Sequence, residues 1–379
     1  MSIVAAQQLE RHADTIGGAA QPLLQVRGLS ISAHGADRSR PITVGTDLSV
    51  GKGETVGIVG ESGSGKSLTA RAIARLLPPD VSSTGEIRFD GVDLAAAPEA
   101  ELKRIRGRRL SLLLQNPFTM LNPLMRCGGH IDEMLRDRPE FRARTSRAAE
   151  VRRRLLEVGI SDEDVAYRMP FQLSGGMAQR VALAAALARD PELLIADEPS
   201  TALDVTTQAE VIKLLKRVQQ QRGMSLILIT HDLRLAFSTC DRIYVLYAGS
   251  VVEAGAAAEV ERDPCHPYTL GLLLSEPPAT RRVAKLVAIR GSVPSAEDVA
   301  GCCSFAPRCD WAGEACRAGK PPLSERAPGR LSACVRYAEI KSDMRALRSR
   351  ALEQTAGLPA VATSQPFIRV AGLSKTFAT

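Results

Sequence analysis

One stretch of eight residues has the types and spacing that bind a polyphosphate. Gly60-Glu61-Ser62-Gly63-Ser64-Gly65-Lys66-Ser67 follows an apolar run and precedes a helix predicted over residues 68–77. Glycines let the backbone wrap a phosphate with its N–H groups turned inward, and the helix N-terminus favours an anion. Lys66 is expected to reach the β- and γ-phosphates and Ser67 to bind Mg²⁺. A plain glycine-rich turn is disfavoured because the lysine, the serine and both flanks are present.

Polar residues also close three other short apolar runs. Gln115 ends the run that begins at residue 110, Asp197-Glu198 ends the run from 193, and His231 follows the run from 226. These runs alternate with helical patterns, which predicts a parallel sheet with helices on its faces. Ligands of such sheets bind at the carboxyl ends of the strands. The sequence therefore predicts that these residues share one crevice with the phosphate loop.

Each of these side chains suits a task in nucleotide hydrolysis. We expect Asp197 to hold Mg²⁺ directly or through water, and Glu198 to act as general base or to orient the water. The alternative is that both acids only cap the segment before Pro199. Gln115 is a candidate for the Mg²⁺ or water shell, and His231 for sensing the γ-phosphate. A single Gln or His is weak support by itself, since a histidine is more often structural.

A fourth motif lies at a predicted helix start. Leu173-Ser174-Gly175-Gly176-Met177 precedes an alanine- and leucine-rich run that continues to Ala188. Ser174 is expected to cap that helix. Its N-terminus then presents backbone N–H groups to an anion.

Composition indicates a globular chain. The 379 residues suffice for two or three domains, and 45% hydrophobic and 24% charged residues are ordinary values. No apolar run reaches the roughly 18 residues of a membrane span, and no secretory signal is visible. The net charge of +7 fits an anionic partner or membrane surface, but also the arginine usage of a GC-rich genome, which we favour.

The motifs, taken in order, resemble the nucleotide-binding domain of ABC transporters. The discriminating stretch is Leu173–Gly176, which other phosphate-loop ATPases lack; 194–199 and Ala202-Leu203-Asp204 also fit. The resemblance implies an α/β phosphate-loop NTPase with a RecA-like core, an antiparallel β subdomain and a helical subdomain. It also implies ATP and Mg²⁺ as ligands. The resemblance further implies that a second ABC ATPase domain pairs head to tail with this one, so that Ser174, Gly175, Gly176 and Met177 contact the partner's ATP and Asp204 lies in the dimer loop.

Finer features resemble the dipeptide, oligopeptide and nickel importer ATPases. They are the stretch 115–123, which begins with Gln115, then Met177, and finally Asp263-Pro264-Cys265-His266-Pro267-Tyr268-Thr269. The resemblance implies a peripheral protein on the cytoplasmic face of the cell membrane, bound to permease subunits and served by a solute-binding protein, without nucleic acid. The alternative is a soluble ABC ATPase acting on ribosomes or DNA, which would carry long helical insertions. A catalytically dead regulatory domain is disfavoured by the intact motifs.

Two places depart from the family or add to it. The family stacks an aromatic on adenine at the end of the first strand; here Ala33 takes that place, so either His34 stacks or adenine is held weakly. Five of the eight cysteines fall between 302 and 334, which favours metal over disulfides in a cytosolic protein. Cys303, Cys309, Cys316 and Cys334 resemble a family tail that ligates a [4Fe–4S] cluster. Zinc and free thiols remain open, and Cys302 is extra.

These features predict four segments. They are a loose tail at 1–21, the nucleotide-binding domain at 22–262 with its helical subdomain at about 116–188, a Cys-rich extension at 263–340, and a segment at 341–379. Residues 366–377 repeat residues 22–33 at five of twelve positions. The last segment is therefore expected to be a linker and the first strand of a second ABC domain, in which the chain stops.

Overall fold

A computed structural model describes residues 21–35, 38–200, 204–276, 287–353 and 370–374. In these residues the strands are β1 Leu24–His34, β2 Ser39–Val50, β3 Thr55–Val59, β4 Val81–Phe89, β5 Val92–Asp93, β6 Leu110–Leu113, β7 Leu193–Asp197, β8 Ser225–Thr230, β9 Arg242–Tyr247, β10 Ser250–Ala256, β11 Ser324–Ala327 and β12 Arg330–Ser332. The helices are α1 Lys66–Ile73, α2 Glu99–Ile105, α3 Pro117–Met120, α4 Cys127–Leu135, α5 Arg144–Glu157, α6 Gly175–Leu187, α7 Val205–Arg222, α8 Leu233–Thr239, α9 Ala257–Arg262, α10 Pro267–Ser275, α11 Glu314–Arg317 and α12 Tyr337–Glu353.

The main sheet has eight strands in the order β11-β12-β10-β9-β3-β8-β7-β6. Strands β9, β3, β8, β7 and β6 are parallel, which confirms the predicted α/β class. Their short apolar runs are buried on both faces, as strands of a parallel sheet must be when helices cover them. The strand neighbours β3, β8, β7 and β6 are those whose carboxyl ends bear the predicted polar residues.

A separate antiparallel sheet, β2-β1-β4-β5, packs on one side of the main sheet. Its β1 pairs with both β2 and β4 along most of its length. Buried side chains of this sheet, such as Ile31 and Phe89, share one apolar cluster with Ile58 of β3 and Ile73 of α1. This cluster fixes the phosphate loop between the two sheets, because β3 and α1 flank that loop.

The helices α3 to α6 occupy residues 117–187 and enclose a second apolar cluster that includes Ile131, Leu155 and Val181. A buried arginine at this cluster is paired with an acid at its edge. Arg154 is 1% exposed and donates two hydrogen bonds to Asp190, at 2.7 and 2.8 Å. A buried guanidinium must be paired in this way, so the pair ties α5 to the segment that enters β7.

The described part of the Cys-rich extension is joined to the main sheet. Strand β12 pairs with β10, so the Cys-rich extension adds two strands to the main sheet. Helix α12 continues to Glu353. This corrects the prediction that residues 341–353 belong to a linker. The reason is packing, since Ile340 and Met344 are buried against Cys265 and Leu270.

Two smaller predictions also need correction or lie outside the described residues. Helix α1 spans Lys66–Ile73 rather than 68–77, and Arg75, at φ 55°, follows its end. Of the repeat 366–377, only residues 370–374 are described, and they lie in no helix or strand. Residues 1–20 and 201–203, with Ala202 and Leu203, fall outside the description. In the described segments, no helix is both long and apolar enough to span a membrane.

Candidate functional site

The phosphate loop needs glycine at its two ends. Gly60 has φ 151°, and a Cβ there would lie 2.1 Å from the carbonyl oxygen of Leu246. Gly65 has φ 97°, and its Cβ would lie 2.4 Å from a methyl of Thr43. Both positions combine a backbone that side chains disfavour with neighbours that leave no room. The loop is therefore built to present backbone, not side chains, to its ligand.

Lys66 folds back across the start of the loop. Its Nζ donates hydrogen bonds to the carbonyl oxygens of Gly60 at 2.8 Å and Glu61 at 3.0 Å. The side chain is 5% exposed, and this burial lowers the pKa of the ammonium. A polyphosphate in the loop would supply stronger acceptors for the same donors, because charge-assisted bonds exceed those to carbonyls. Lys66 is thus positioned to bind phosphate.

Ser67 and Asp197 supply two oxygens to one place. Ser67 Oγ donates to Asp197 Oδ1 at 2.9 Å, although 130 residues separate them in the chain. Asp197 is 3% exposed, and burial raises the pKa of its carboxyl group. A bound cation would offset that desolvation and favour the carboxylate. Hard oxygen donors of this kind are the ligands Mg²⁺ prefers, so the pair fits a magnesium ion.

Glu198 is the point where three strand ends converge. Gln115, after β6, donates from Nε2 to Glu198 Oε2 at 2.9 Å. His231, after β8, places Nδ1 3.4 Å from the same oxygen. Glu198 itself has φ 46°, and its N–H donates to the carbonyl of Ile229. Such a backbone conformation is disfavoured for a side-chain-bearing residue, and here it directs the Glu198 side chain toward Gln115 and His231.

The predicted signature residues lie in a different place. Ser174 caps α6 by accepting a hydrogen bond from the N–H of Met177 at 3.3 Å. Asp204 caps α7 by accepting from the N–H and hydroxyl of Thr207 at 3.0 and 2.7 Å. A polar cavity of about 320 Å³ is lined by Ser174, Gly175, Gly176, Met177, Arg180, Asp204, Thr207 and Glu210. No phosphate-loop residue lines it, so this chain does not bring signature and phosphate loop together.

His34 ends β1 with its ring exposed. Its Nε2 forms a hydrogen bond of 2.6 Å with Ser82 Oγ on the neighbouring strand β4. This hydrogen bond fixes one edge of the imidazole, and the ring remains exposed at the edge of the sheet. Ala33, in the aromatic's expected position, is half-buried.

The four predicted cysteines meet at one cavity. Cys303, Cys309, Cys316 and Cys334 all line it, together with His266, Phe305 and Trp311, whereas Cys302 does not. Burial raises the pKa of Cys309 to about 11 and of Cys334 to about 12. The eight thiols are free. Across the described residues, no three His, Cys, Asp or Glu side chains are arranged to hold one metal ion.

Sequence reasoning missed two residues that touch the phosphate loop. Arg308 pairs with the Glu61 carboxylate, and the Tyr268 hydroxyl accepts the Glu61 N–H. Arg308 directly precedes Cys309, and Tyr268 lies in the segment 263–269. Both stretches were singled out for other reasons, but nothing in their spacing points to Glu61.

Comparison with known proteins identifies the family that the sequence motifs resemble. The ABC transporter family matches residues 44–201, and the C-terminal region of oligopeptide/dipeptide transporters matches residues 252–316. A putative peptide import ATP-binding protein of Brucella melitensis is 44% identical over 335 residues, covering 84% of this chain and 98% of that protein. The oligopeptide transport ATP-binding proteins AppD of Bacillus subtilis and OppD of Escherichia coli are 41% and 39% identical. Each alignment covers 84% of this chain, with 97% of AppD and 95% of OppD.

Solved structures agree at the level of the cassette. The dimeric ATP-binding cassette MJ0796 bound to ADP and Pi is 28% identical, with a TM-score of 0.56, and the match covers 62% of this chain and 98% of that one. CbiO1 of Clostridium perfringens, part of an ABC transporter complex, is 25% identical with a TM-score of 0.54, over 64% of this chain and 92% of that one. The chain belongs to the ABC transporter ATPases, in the branch of the peptide importer ATP-binding proteins.

Proposed function

We propose that this chain binds and hydrolyses ATP to power an importer of peptides or a related small solute. The observation that carries the proposal is the convergence of Lys66, the Ser67–Asp197 pair and Glu198 at neighbouring strand ends of one sheet. The related importer proteins named above support the cargo class. None of those relatives is described as acting on ribosomes or DNA, so the soluble alternative is not favoured.

Each residue has a task in the hydrolysis. The loop amides and Lys66 bind the β- and γ-phosphates of ATP. Ser67 and Asp197 would hold Mg²⁺, with Gln115 close by, and the ion would offset the charge of the phosphate oxygens. Glu198 accepts a proton from the attacking water, which lies in line with the γ-phosphate. Gln115 and His231 orient that carboxylate, and His231 reaches toward the γ-phosphate.

The nucleotide site is completed by a second ATPase domain. The separation of signature cavity and phosphate loop within one chain supports this step. The N-terminus of α6, with Ser174, Gly175 and Gly176, would bind the γ-phosphate held by the partner domain. Asp204 lies beside it on the same surface. A homodimer and a heterodimer with a related ATPase both satisfy this geometry.

A groove beside the helical subdomain is the proposed docking site for permease subunits. It has a volume of about 390 Å³, and three flexible methionines, Met120, Met125 and Met134, line it. Leu124, close by in sequence, is 87% exposed. Methionine surfaces adapt to apolar partners such as a short cytoplasmic helix. Docking there would hold the chain peripherally at the cytoplasmic face of the membrane, while a solute-binding protein delivers the cargo to the permease.

His34 is the proposed adenine contact. Its bond to Ser82 fixes the ring at the end of β1, where the family carries its stacking aromatic. An imidazole offers less stacking area than tyrosine, so the base would be held less firmly.

Transport in a reconstituted system tests the function. Proteoliposomes would contain this chain, its partner ATPase and the permease subunits, with the binding protein and a labelled dipeptide added. We expect uptake only when ATP is present on the side of the ATPase and this chain is included, because hydrolysis supplies the driving force. ATP hydrolysis stimulated by ribosomes or DNA, without any permease, would instead establish the soluble alternative.

The cysteine cavity is the proposed site of a [4Fe–4S] cluster. Its support is that Cys303, Cys309, Cys316 and Cys334 line one cavity and that the extra Cys302 does not. Four thiolates in one short stretch suit either an iron–sulfur cluster or zinc, and the resemblance to the importer family favours the cluster. Bound iron would need these buried thiols deprotonated, and would stabilise the extension.

Metal analysis of protein purified without oxygen checks this site. We expect about four iron and four sulfide per chain and a brown colour, because a cubane cluster has that composition. The variant Cys334→Ser should lose most of the iron, whereas Cys240→Ser, which changes a buried thiol that does not line the cavity, should keep it. One zinc per chain, or no metal, would reject the cluster.

A further inference from the structure

We propose that Arg308 and Tyr268, both outside the nucleotide-binding motifs, are positioning residues that hold the phosphate loop in its binding conformation. The proposal rests on the proposed ATPase function. It assigns a task to the C-terminal extension, which no motif of the chain connects with ATP. The observation behind it is that all three polar groups of Glu61, the second residue of the loop, are bound by side chains, and that two of these side chains come from the C-terminal extension.

The carboxylate of Glu61 is held by Arg308. The guanidinium donates from Nη1 to Oε2 at 2.8 Å and from Nη2 to Oε1 at 3.2 Å, across 247 residues of sequence. This two-point geometry is the strongest arrangement of an arginine with a carboxylate, because both parallel bonds are charge-assisted. The Arg308 side chain is 5% exposed and that of Glu61 is 30% exposed, so solvent reaches the pair only from the carboxylate side. Glu61 is thereby fixed in direction as well as in position.

The backbone of Glu61 is held by two further side chains. Its N–H donates to the Tyr268 hydroxyl at 2.9 Å, and its carbonyl accepts from Lys66 Nζ at 3.0 Å. Lys66 is the residue that must turn to the phosphates when ATP binds. Once it does so, the Glu61 carbonyl keeps the N–H of Ser64 within the loop, at 3.3 Å, and Tyr268 and Arg308 are the side chains that still hold Glu61 from outside the loop. These two residues would therefore keep the start of the loop in place in the ATP-bound state.

Arg308 is itself rigidly mounted. Its remaining donors are used by backbone carbonyls of Arg290 and Gly291 and by the Tyr247 hydroxyl. Every N–H of the guanidinium thus has an acceptor. An arginine so fully bonded has one available orientation, which is what a positioning role requires.

An aromatic cluster connects Arg308 and its hydrogen-bond partners to the main sheet. The rings of Tyr247, at the end of β9, and Tyr268, in α10, have centroids 4.4 Å apart. Phe305 packs against both, at 5.2 and 5.3 Å. Phe305 lies three residues before Arg308, in the same turn as Cys303 and Cys309. The extension is therefore packed directly behind the phosphate loop, and its order determines where Arg308 stands.

The binding of ATP by a set of variants tests the inference. Wild-type ATP binding must be established first by calorimetry; its absence would count against the ATPase function itself and not against this inference. For Arg308→Ala we expect the ATP dissociation constant to rise about tenfold, since a charge-assisted pair that orders the loop is lost. The KM for ATP should rise similarly, with a smaller change in kcat, because Arg308 does not touch the reacting atoms. Arg308→Lys should recover part of the affinity.

A matched control separates loop positioning from folding of the extension. Arg336 lies in the same extension and donates to the carbonyl of Trp311 and to Glu339, with no contact to the phosphate loop. Arg336→Ala should leave the dissociation constant within about twofold of wild type, as expected for a residue away from the site. An equal rise for Arg336→Ala and Arg308→Ala would overturn the proposal, because the effect would then follow from the extension as a whole.

A double-mutant cycle shows whether Arg308 acts through Glu61. Glu61→Gln and Arg308→Ala should each weaken ATP binding, and the double variant should be no weaker than the stronger single one, since they break one shared contact. Additive losses of affinity would show that Arg308 does not act through Glu61. Tyr268→Phe, which removes only the hydroxyl, is expected to weaken binding by about threefold through the lost backbone bond. If Arg308→Ala does not fold, Arg308→Lys and Glu61→Gln still decide the matter: wild-type affinity in both would overturn the inference.

Discussion

Replacing Glu198 by glutamine should abolish turnover while leaving ATP bound. The amide has the same shape as the carboxylate, so the contacts of position 198 with Gln115 and His231 remain sterically possible. What is lost is the group that accepts the proton of the attacking water. General-base catalysis contributes about 10²–10⁴-fold, so we expect steady-state ATP hydrolysis to fall by about three orders of magnitude. The ATP dissociation constant, measured by calorimetry, should change by less than about threefold.

Another glutamate provides the control for that change. Glu192 precedes β7 and pairs with Arg109, away from the crevice. Glu192→Gln removes the same charge from the chain and should keep near-normal turnover, because exposed ion pairs contribute little. Near-normal turnover in Glu198→Gln would reject Glu198 as the base and move that role to a bound water network. Weak ATP binding in the same variant would mean that Glu198 orders the site rather than acting on water.

The crevice was predictable because its signals are local. Each strand is a short apolar run closed by a polar residue, and a parallel sheet brings such ends together without any further information. Gln115 and His231 illustrate this. Each was predicted only from an apolar run and the polar residue that follows it, and both side chains approach Glu198 in the structure. The glycine spacing likewise encodes the loop, as the positions of Gly60 and Gly65 require.

What the sequence did not predict depends on contacts between distant segments. The pairing of Arg308 with Glu61 joins residues 247 apart, and no period or motif connects them. The strands β11 and β12 are only four and three residues long, too short to stand out as apolar alternation. Helix α12 did carry a signal, because Tyr337, Ile340 and Met344 recur at helical spacing. The prediction of a linker from residue 341 rested instead on the repeat at 366–377.

Replacing Lys66 by alanine should act on nucleotide binding itself. In the structure its ammonium has only carbonyl acceptors, those of Gly60 and Glu61, in a buried place. Phosphate oxygens are charged and replace these acceptors when ATP binds. Hydrogen bonds to charged groups contribute about 1.5–3 kcal/mol, so calorimetry should show the ATP dissociation constant rising by about 10- to 100-fold. Lys52→Ala, which removes an exposed ammonium paired with Asp90, should leave it unchanged.

The same titration examines the adenine end of the site through His34. If the ring stacks on the base, His34→Ala should raise the ATP dissociation constant by about three- to tenfold, the range that an aromatic pair contributes. His34→Tyr should hold or lower it, because a larger ring stacks better and can still reach Ser82. Inorganic triphosphate lacks the base, so its affinity should respond to Lys66→Ala and not to either His34 variant. Unchanged ATP affinity in both His34 variants would show that the base is held elsewhere, and tight ATP binding by Lys66→Ala would contradict the assignment of the phosphate loop.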